Sequence, residues 1–219
     1  MCLAIVKPAG VVIPHDHIYG AFSNNPDGAG FAVQYNGKVS IAKGFFTPED
    51  FLWAWENHEK QSALLHFRLA SAGDISQENC HPFRLVNGGA LAHNGHFTGY
   101  DTHPSQSDTL HWITTVLNPL LRNYPDAFDV PSLRAMIESA TQGSRVALLP
   151  RHGNAIVLHK REWMPVGKAL YSNKSYLPQG WKWASAEPWA RNEDPDQAPE
   201  GFCPVCSLDP EDCTCYFRD

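Results

Sequence analysis

The sequence predicts an α+β fold, with antiparallel sheets and helices set apart from them. Two observations carry this. Runs with strand character come in hairpin-connected pairs, and helical runs fall between groups of such pairs instead of alternating with single strands as βαβ units would. The chain of 219 residues is long enough to bury a core as one domain with a small appendage.

The elements follow in order. Residues 2–6 read as a buried strand. Residues 30–44, GFAVQYNGKVSIAKG, are two strands around Asn36-Gly37, a strong short hairpin signal. The run TPEDFLWAWENHEK has Thr47 as N-cap, Pro48 in the first turn, acids after it, and apolar Phe51, Leu52 and Trp55, so it reads as a helix. SALLHFRLAS and GGALAHNG read as strands. In SDTLHWITTVLNPLL, Ser107 is the expected cap and Pro119 is expected to kink or end the helix. DVPSLRAMIESATQG is a third helix stopped by Gly143. SRVALLP and NAIVLHK pair around RHG.

A net charge of -6 without a Lys/Arg block argues against nucleic-acid coating. The first apolar run, Leu3 to Val6, is too short for a signal-peptide core, and nothing approaches the roughly 18 apolar residues of a membrane span. The expectation is a cytoplasmic protein with reduced thiols and no membrane partner. Four of the 6 cysteines crowd into the last 17 residues, a placement that fits metal or chemistry better than a secreted disulfide framework.

Taken singly, the chemistry-bearing residues have ordinary structural readings. A Cys near a terminus is usually a small hydrophobe. An Arg at a strand end usually pairs at the surface, Asn-Gly makes turns, and Asp after Ser completes a helix cap. Their joint order is more informative: Cys2 behind the initiator Met, NPDGAGFA at 25–32, HFRLASAG at 66–73, ENCHPF at 78–83, LAHNGHF at 91–97, SDT at 107–109 and YSNKSYL at 171–177.

Together these pieces, spanning roughly residues 2–180, resemble the glutaminase domain of class II glutamine amidotransferases, which are N-terminal-nucleophile hydrolases, in their compact stand-alone form. The resemblance implies a four-layer αββα sandwich of two facing antiparallel sheets, with Cys2 in the cleft. It implies cleavage of the glutamine side-chain amide through a γ-glutamyl thioester, with release of ammonia to a separately encoded acceptor enzyme and no cofactor needed for that chemistry. Cys2 would be the nucleophile and its own α-amino group, freed by loss of Met1, the base. An ordinary thiol near 8.5 and α-amine near 7.7–8.0 are close to matched. Asn94, through its side-chain amide, and Gly95, through its backbone N–H, would stabilise the oxyanion. Arg68 would pair with the substrate α-carboxylate. Asp108 would pair with its α-ammonium, Asp101 being the alternative because the segment after Asn94 is shorter than in many relatives. His93 and Ser71 are further substrate-side candidates. For His66 and His93 the competing reading is a hydrogen-bonded core histidine. Gly28 and Gly30 are expected to allow close packing, and Cys80 to be a bystander.

These readings divide the chain into a glutaminase domain over 1–186, an acidic, proline-containing linker over 187–201, and a tail over 202–219. In the tail, Cys203, Cys206, Cys213 and Cys215 could close a tetrahedral structural zinc site. The substrate would be L-glutamine or another γ-glutamyl small molecule. Two alternatives keep the same site: a hydrolase of γ-glutamyl peptides, and a degenerate module that binds a γ-glutamyl ligand without turnover.

Overall fold

The computed structural model describes residues 1–177. The expected linker at 187–201 and the tail cysteines Cys203, Cys206, Cys213 and Cys215 lie outside the described residues.

Among the described residues, ten strands form two sheets in which every pairing is antiparallel. The first holds β1 (Leu3–Lys7), β2 (Ala29–Tyr35), β3 (Lys38–Phe45), β4 (Ser62–Phe67), β9 (Met164–Val166) and β10 (Ala169–Tyr171), in the order β3-β2-β4-β1-β10-β9. The second holds β5 (Phe83–Arg84), β6 (Ala90–Asn94), β7 (Arg145–Leu149) and β8 (Ile156–Val157), in sequence order. Asn36 and Gly37 both have positive φ, 49° and 71°, as a two-residue hairpin between β2 and β3 requires.

Alternation along the strands sorts the core into three layers. Leu3 and Ile5 of β1, Phe31 of β2 and Leu65 and Phe67 of β4 pack on Ile18, Ala21 and Phe22 of α1 (His15–Asn24) and on Phe51, Leu52 and Trp55 of α2 (Pro48–Trp55). Ala4, Val6, Ala32 and Leu64 turn the other way and meet Ala90, Ala92, Ala147 and Leu149 of the second sheet. So many alanines on facing strands let the two sheets come close. The outer face of the second sheet, with Phe83, Leu91, Val146 and Leu148, packs on Trp112, Ile113, Leu117, Leu121 and Ile137. Those side chains come from α3 (Asp108–Trp112), the π-helical turn Ile113–Leu117, α4 (Asn118–Asn123) and α5 (Pro131–Ala140). The result is the expected αββα sandwich.

Thr47 caps α2 as expected, its hydroxyl accepting from Asp50 N–H at 3.2 Å. Pro119 does not end its helix. The chain widens into the π turn, and Pro119 enters at the first turn of α4, where a missing N–H costs little. The sequence reading did not foresee α1. Its stretch, HDHIYGAFSN, contains a glycine and follows Pro14 without a side-chain cap. What holds it is the apolar stripe Ile18, Ala21 and Phe22 at helical spacing. Among the described residues no helix is long and apolar enough to cross a membrane.

A buried histidine is among the polar groups that interrupt the apolar layer between the sheets. His66, on the inner face of β4, donates through Nε2 to the carbonyl of His93 at 3.1 Å; since a carbonyl only accepts, Nε2 carries the proton. The His81 ring lies 4.1 Å from the His66 ring. Burial lowers His66 to about 3 and His93 to about 4, and holds His81 well below its ordinary value. All three imidazoles are therefore neutral near pH 7.

The sign follows from linkage. The unfolded chain protonates these histidines below about pH 6.5, while the folded chain does not until far lower, so the stability they allow is complete above that pH and is lost as pH falls. Each should contribute a slope of up to about 1.4 kcal/mol per pH unit. Urea unfolding at pH 7.0 and 5.0 should show a marked loss at the lower pH. His66→Gln, which keeps a donor for the His93 carbonyl, should reduce that loss by one histidine's share; an unchanged loss would contradict a buried neutral His66.

Candidate active site

The register of β1 against β4 pairs Leu3 with Phe67 and Ala4 with His66, so Cys2 stands opposite Arg68 just beyond the ends of both strands. Cys2 precedes helix-facing Leu3 and so falls, by alternation, on the inner side of the sheet. Its Sγ meets both the N–H and the carbonyl of Leu69, each at 3.3 Å. Burial pushes the Cys2 thiol up from its ordinary value; the Leu69 hydrogen bond, the chain's amino terminus and Arg68 pull it down less. The surroundings on balance favour the neutral thiol.

The second sheet brings Asn94 to the same place. At the end of β6, Ala90, Ala92 and Asn94 face the first sheet, and the Asn94 side-chain N–H donates to Ser172 Oγ at 2.9 Å. The same oxygen accepts from the backbone N–H of Ala4 at 2.8 Å. One hydroxyl thus joins the Cys2 strand to the Asn94 strand. An amide has two N–H groups, so this bond fixes the direction of the second. Asn173 adds a further hold, donating to the Cys2 carbonyl at 2.7 Å while its own oxygen accepts from the N–H and hydroxyl of Ser175. Sequence reading quoted YSNKSYL but gave Ser172 and Asn173 no role. Their positions on the strand next to that of Cys2 could not be read without β10, which is 3 residues long.

Gly95 follows with φ +154°. A Cβ there would stand 2.4 Å from Ser144 Oγ and 2.9 Å from His93 Nε2, so only glycine fits. His93 itself is not brought into the cleft. It lies on the helix side of β6, stacked on Phe97 at 3.9 Å, with Nδ1 2.8 Å from Thr109 Oγ1. The core-histidine reading describes its place better than a substrate-side one.

Arg68 is 2 % exposed. Its guanidinium donates to the carbonyls of Asp74 and Ala72 at 2.8 Å and of Gly73 at 3.3 Å. Those bonds involve the two terminal nitrogens only, leaving part of the five-donor fork for an anion. The loop it organises is pinned elsewhere. Asp27 accepts from Ala70 N–H at 2.7 Å, and Asn79 joins Asp74 and Ser105 through Nδ2 and Ser107 through Oδ1. Neither Asp27, inside the quoted NPDGAGFA, nor Asn79 was given a role from sequence. Ser71 is exposed in this loop. Gly28 and Gly30 are packing glycines, leaving room for Cys80 Sγ and the His81 carbonyl respectively.

Asp108 is buried at the start of α3. Its Oδ2 accepts from Phe97 N–H at 2.7 Å, and its Oδ1 from Thr109 N–H at 2.7 Å and Thr109 Oγ1 at 3.2 Å. His96 lies between it and the alternative, Asp101: Nδ1 is 3.5 Å from Asp108 and Nε2 is 3.2 Å from Asp101. Among the described residues no group of three His, Cys, Asp or Glu side chains could hold a metal ion.

No protein-family profile matches this chain, and no curated protein matches it. Solved structures do. A glutamine phosphoribosylpyrophosphate amidotransferase from B. subtilis, in complex with ADP and GMP, is 18% identical over 78% of this chain and 41% of its own, with a TM-score of 0.49. An allosteric regulatory enzyme of purine biosynthesis is 20% identical over 78% and 41%, with a TM-score of 0.47. A glutamine aminotransferase class-II domain protein from Silicibacter pomeroyi is 15% identical over 69% and 73%, with a TM-score of 0.36. This chain thus spans less than half the length of the first two. At such TM-scores the likeness decides nothing about function.

The Ser172 bridge has a measurable consequence. Ser172→Ala strands the buried N–H of Ala4, a loss of about 1–3 kcal/mol. Chemical denaturation should show a stability drop of that order. A neutral substitution would mean that the two strands are held together by other contacts.

Proposed function

We propose that this chain is a glutaminase of the class II glutamine amidotransferase type, acting through an N-terminal cysteine. The observation that carries the reading is the Ser172 hydroxyl, which ties the strand behind Cys2 to the Asn94 amide, so that nucleophile and oxyanion donor share one end of the cleft. Their order in the sequence, with Arg68 and Asp108, gives the site a charge for each end of an amino-acid zwitterion.

In this mechanism the Cys2 thiol loses its proton to the α-amino group and attacks the glutamine side-chain carbonyl carbon. The carbonyl oxygen takes the displaced electron pair and is stabilised by the Asn94 amide and the Gly95 N–H. The ammonium returns its proton to the departing nitrogen, ammonia leaves, and the γ-glutamyl thioester remains. Water, deprotonated by the same amine, then releases glutamate and restores the thiol. An amine base suits a thiol that burial raises from its ordinary value. With Met1 attached, the Cys2 nitrogen is an amide and cannot serve. Met1 is 74% exposed, which leaves it open to removal by an aminopeptidase. The ammonia passes to an acceptor enzyme encoded separately, in the cytoplasm. The tail cysteines would hold a structural zinc outside this chemistry.

The test combines mass and rate. Intact mass of the purified protein should show loss of Met1, and glutamine hydrolysis should be detectable as ammonia release. Cys2→Ser should abolish nearly all turnover, and Asn94→Ala should lower kcat by about 10²–10³. A bulky residue inserted between Met1 and Cys2 should be as damaging as Cys2→Ser. Full activity in that insertion variant would sink the N-terminal-nucleophile mechanism. Glutathione hydrolysed faster than glutamine would favour the γ-glutamyl peptide reading.

A further inference from the structure

We propose that a cleft at the far end of the second sheet binds a small zwitterion with an apolar body, the form of a free α-amino acid with a large apolar side chain. Asp126 and Asp129 would receive its ammonium and Arg151 its carboxylate. The cleft encloses about 300 Å³, at the smaller end of the range for small-molecule sites. It is not the candidate active site. Strands β6 and β7 pair Asn94 with Arg145 at one end and Ala90 with Leu149 at the other, and the cleft lies against Leu149. Four residue steps along a strand put about 13 Å between those ends.

The floor of the cleft is apolar. Leu85, Phe128 and Leu148 are each at most 6% exposed, and Ile156 lies beside them. The walls are tied to one another. Asn87 donates to the Pro125 carbonyl at 3.0 Å and accepts from Gly89 N–H at 3.2 Å, joining the turn between β5 and β6 to the turns over 124–129. Those turns are closed by Ala127 N–H on the Tyr124 carbonyl at 3.0 Å and by Asp129 N–H on the Asp126 carbonyl at 2.9 Å. The fold thus forms the cleft without help from a ligand.

Both signs of charge line the cleft, and neither is spent. An Asp in a turn ordinarily bonds a nearby main-chain N–H. Among the described residues the carboxylates of Asp126 and Asp129 make no hydrogen bond and no ion pair. Arg151 is held by its stem. The stem crosses Gly88, where a Cβ would stand 2.8 Å from Arg151 Cδ, and Nε donates to the Gly37 carbonyl at 3.2 Å. Both terminal nitrogens of the guanidinium are left for an anion, which a carboxylate can meet at two points. Either charge alone would be an ordinary solvated side chain. Opposite charges that share one cleft without pairing, over an apolar floor, match a molecule that carries both charges on an apolar body.

Calorimetry on the full chain tests this. L-Phenylalanine should bind saturably, with a Kd below about 5 mM. Phenethylamine lacks the carboxylate, 3-phenylpropionate lacks the ammonium, and L-alanine lacks the ring. Each should bind about tenfold more weakly, the effect of one charged partner or one buried ring. Arg151→Gln should bring phenylalanine down to the affinity of phenethylamine and leave phenethylamine itself unchanged. Asp126→Asn combined with Asp129→Asn should bring it down to that of 3-phenylpropionate. All three side chains are exposed, so both variants should keep the wild-type melting temperature. The Cys2→Ala protein saturated with L-glutamine should bind phenylalanine as before, which separates the cleft from the candidate active site. No saturable binding of phenylalanine, equal binding of a truncated analogue, an affinity unmoved by Arg151→Gln, or competition by glutamine overturns the proposal. None of these outcomes touches the glutaminase reading.

Discussion

The Ser172 hydroxyl is the contact on which the site depends. It accepts from a main-chain N–H on β1 of one sheet and from a side-chain amide on β6 of the other. Sheets packed face to face are held by apolar contact that tolerates sliding. A polar bond across the layer does not, because each misplaced group would be left buried and unpaired. Register between the sheets is therefore set at the very end where Cys2 and Asn94 meet. The alanines that line the rest of the interface allow the approach; Ser172 fixes it.

From that anchor the charged residues fall into a consistent pattern. Each is held by uncharged donors or acceptors instead of an opposite charge. Arg68 is wrapped in carbonyls, and Asp108 in N–H groups and a hydroxyl. Such solvation by the backbone keeps a charge oriented without neutralising it, so the charge remains available to a zwitterionic ligand. A direct ion pair between the two would have been simpler to build and would have left nothing for a substrate.

Much of this was legible in the sequence, and the limits have physical causes. The Asn36-Gly37 hairpin and the Thr47 cap are local signals, complete within a few residues. The two-sheet architecture could be read because strand pairs and helical runs segregate along the chain. Helix α1 could not, because its glycine and uncapped start obscure a stripe that tertiary packing stabilises. The named residues Cys2, Arg68 and Asn94 do converge at one end of the cleft. Those that position them, Ser172, Asn173, Asp27 and Asn79, act through hydrogen bonds across up to 171 residues or between neighbouring loops. Nothing in the composition of a serine or asparagine announces such a bond; for Ser172 and Asn173 it takes the pairing of β10 with β1 to create it.

His93 shows how a motif residue can matter without touching substrate. Its position within AHNG suggested a place in the pocket, yet strand alternation sends its ring to the opposite face from Asn94. There it meets Thr109, which donates to Asp108, and packs beside Gly95. Its Nδ1 meets the Thr109 hydroxyl, which donates to Asp108, so Nδ1 carries the proton and Nε2 faces the missing Cβ of Gly95. One ring thus orders Asp108 through Thr109 and fills the space where a side chain at residue 95 would stand. Burial keeps that ring neutral. In the proposed mechanism its part is to keep the ammonium and oxyanion ends of the site at a fixed separation, a requirement for any site that recognises both ends of one small molecule.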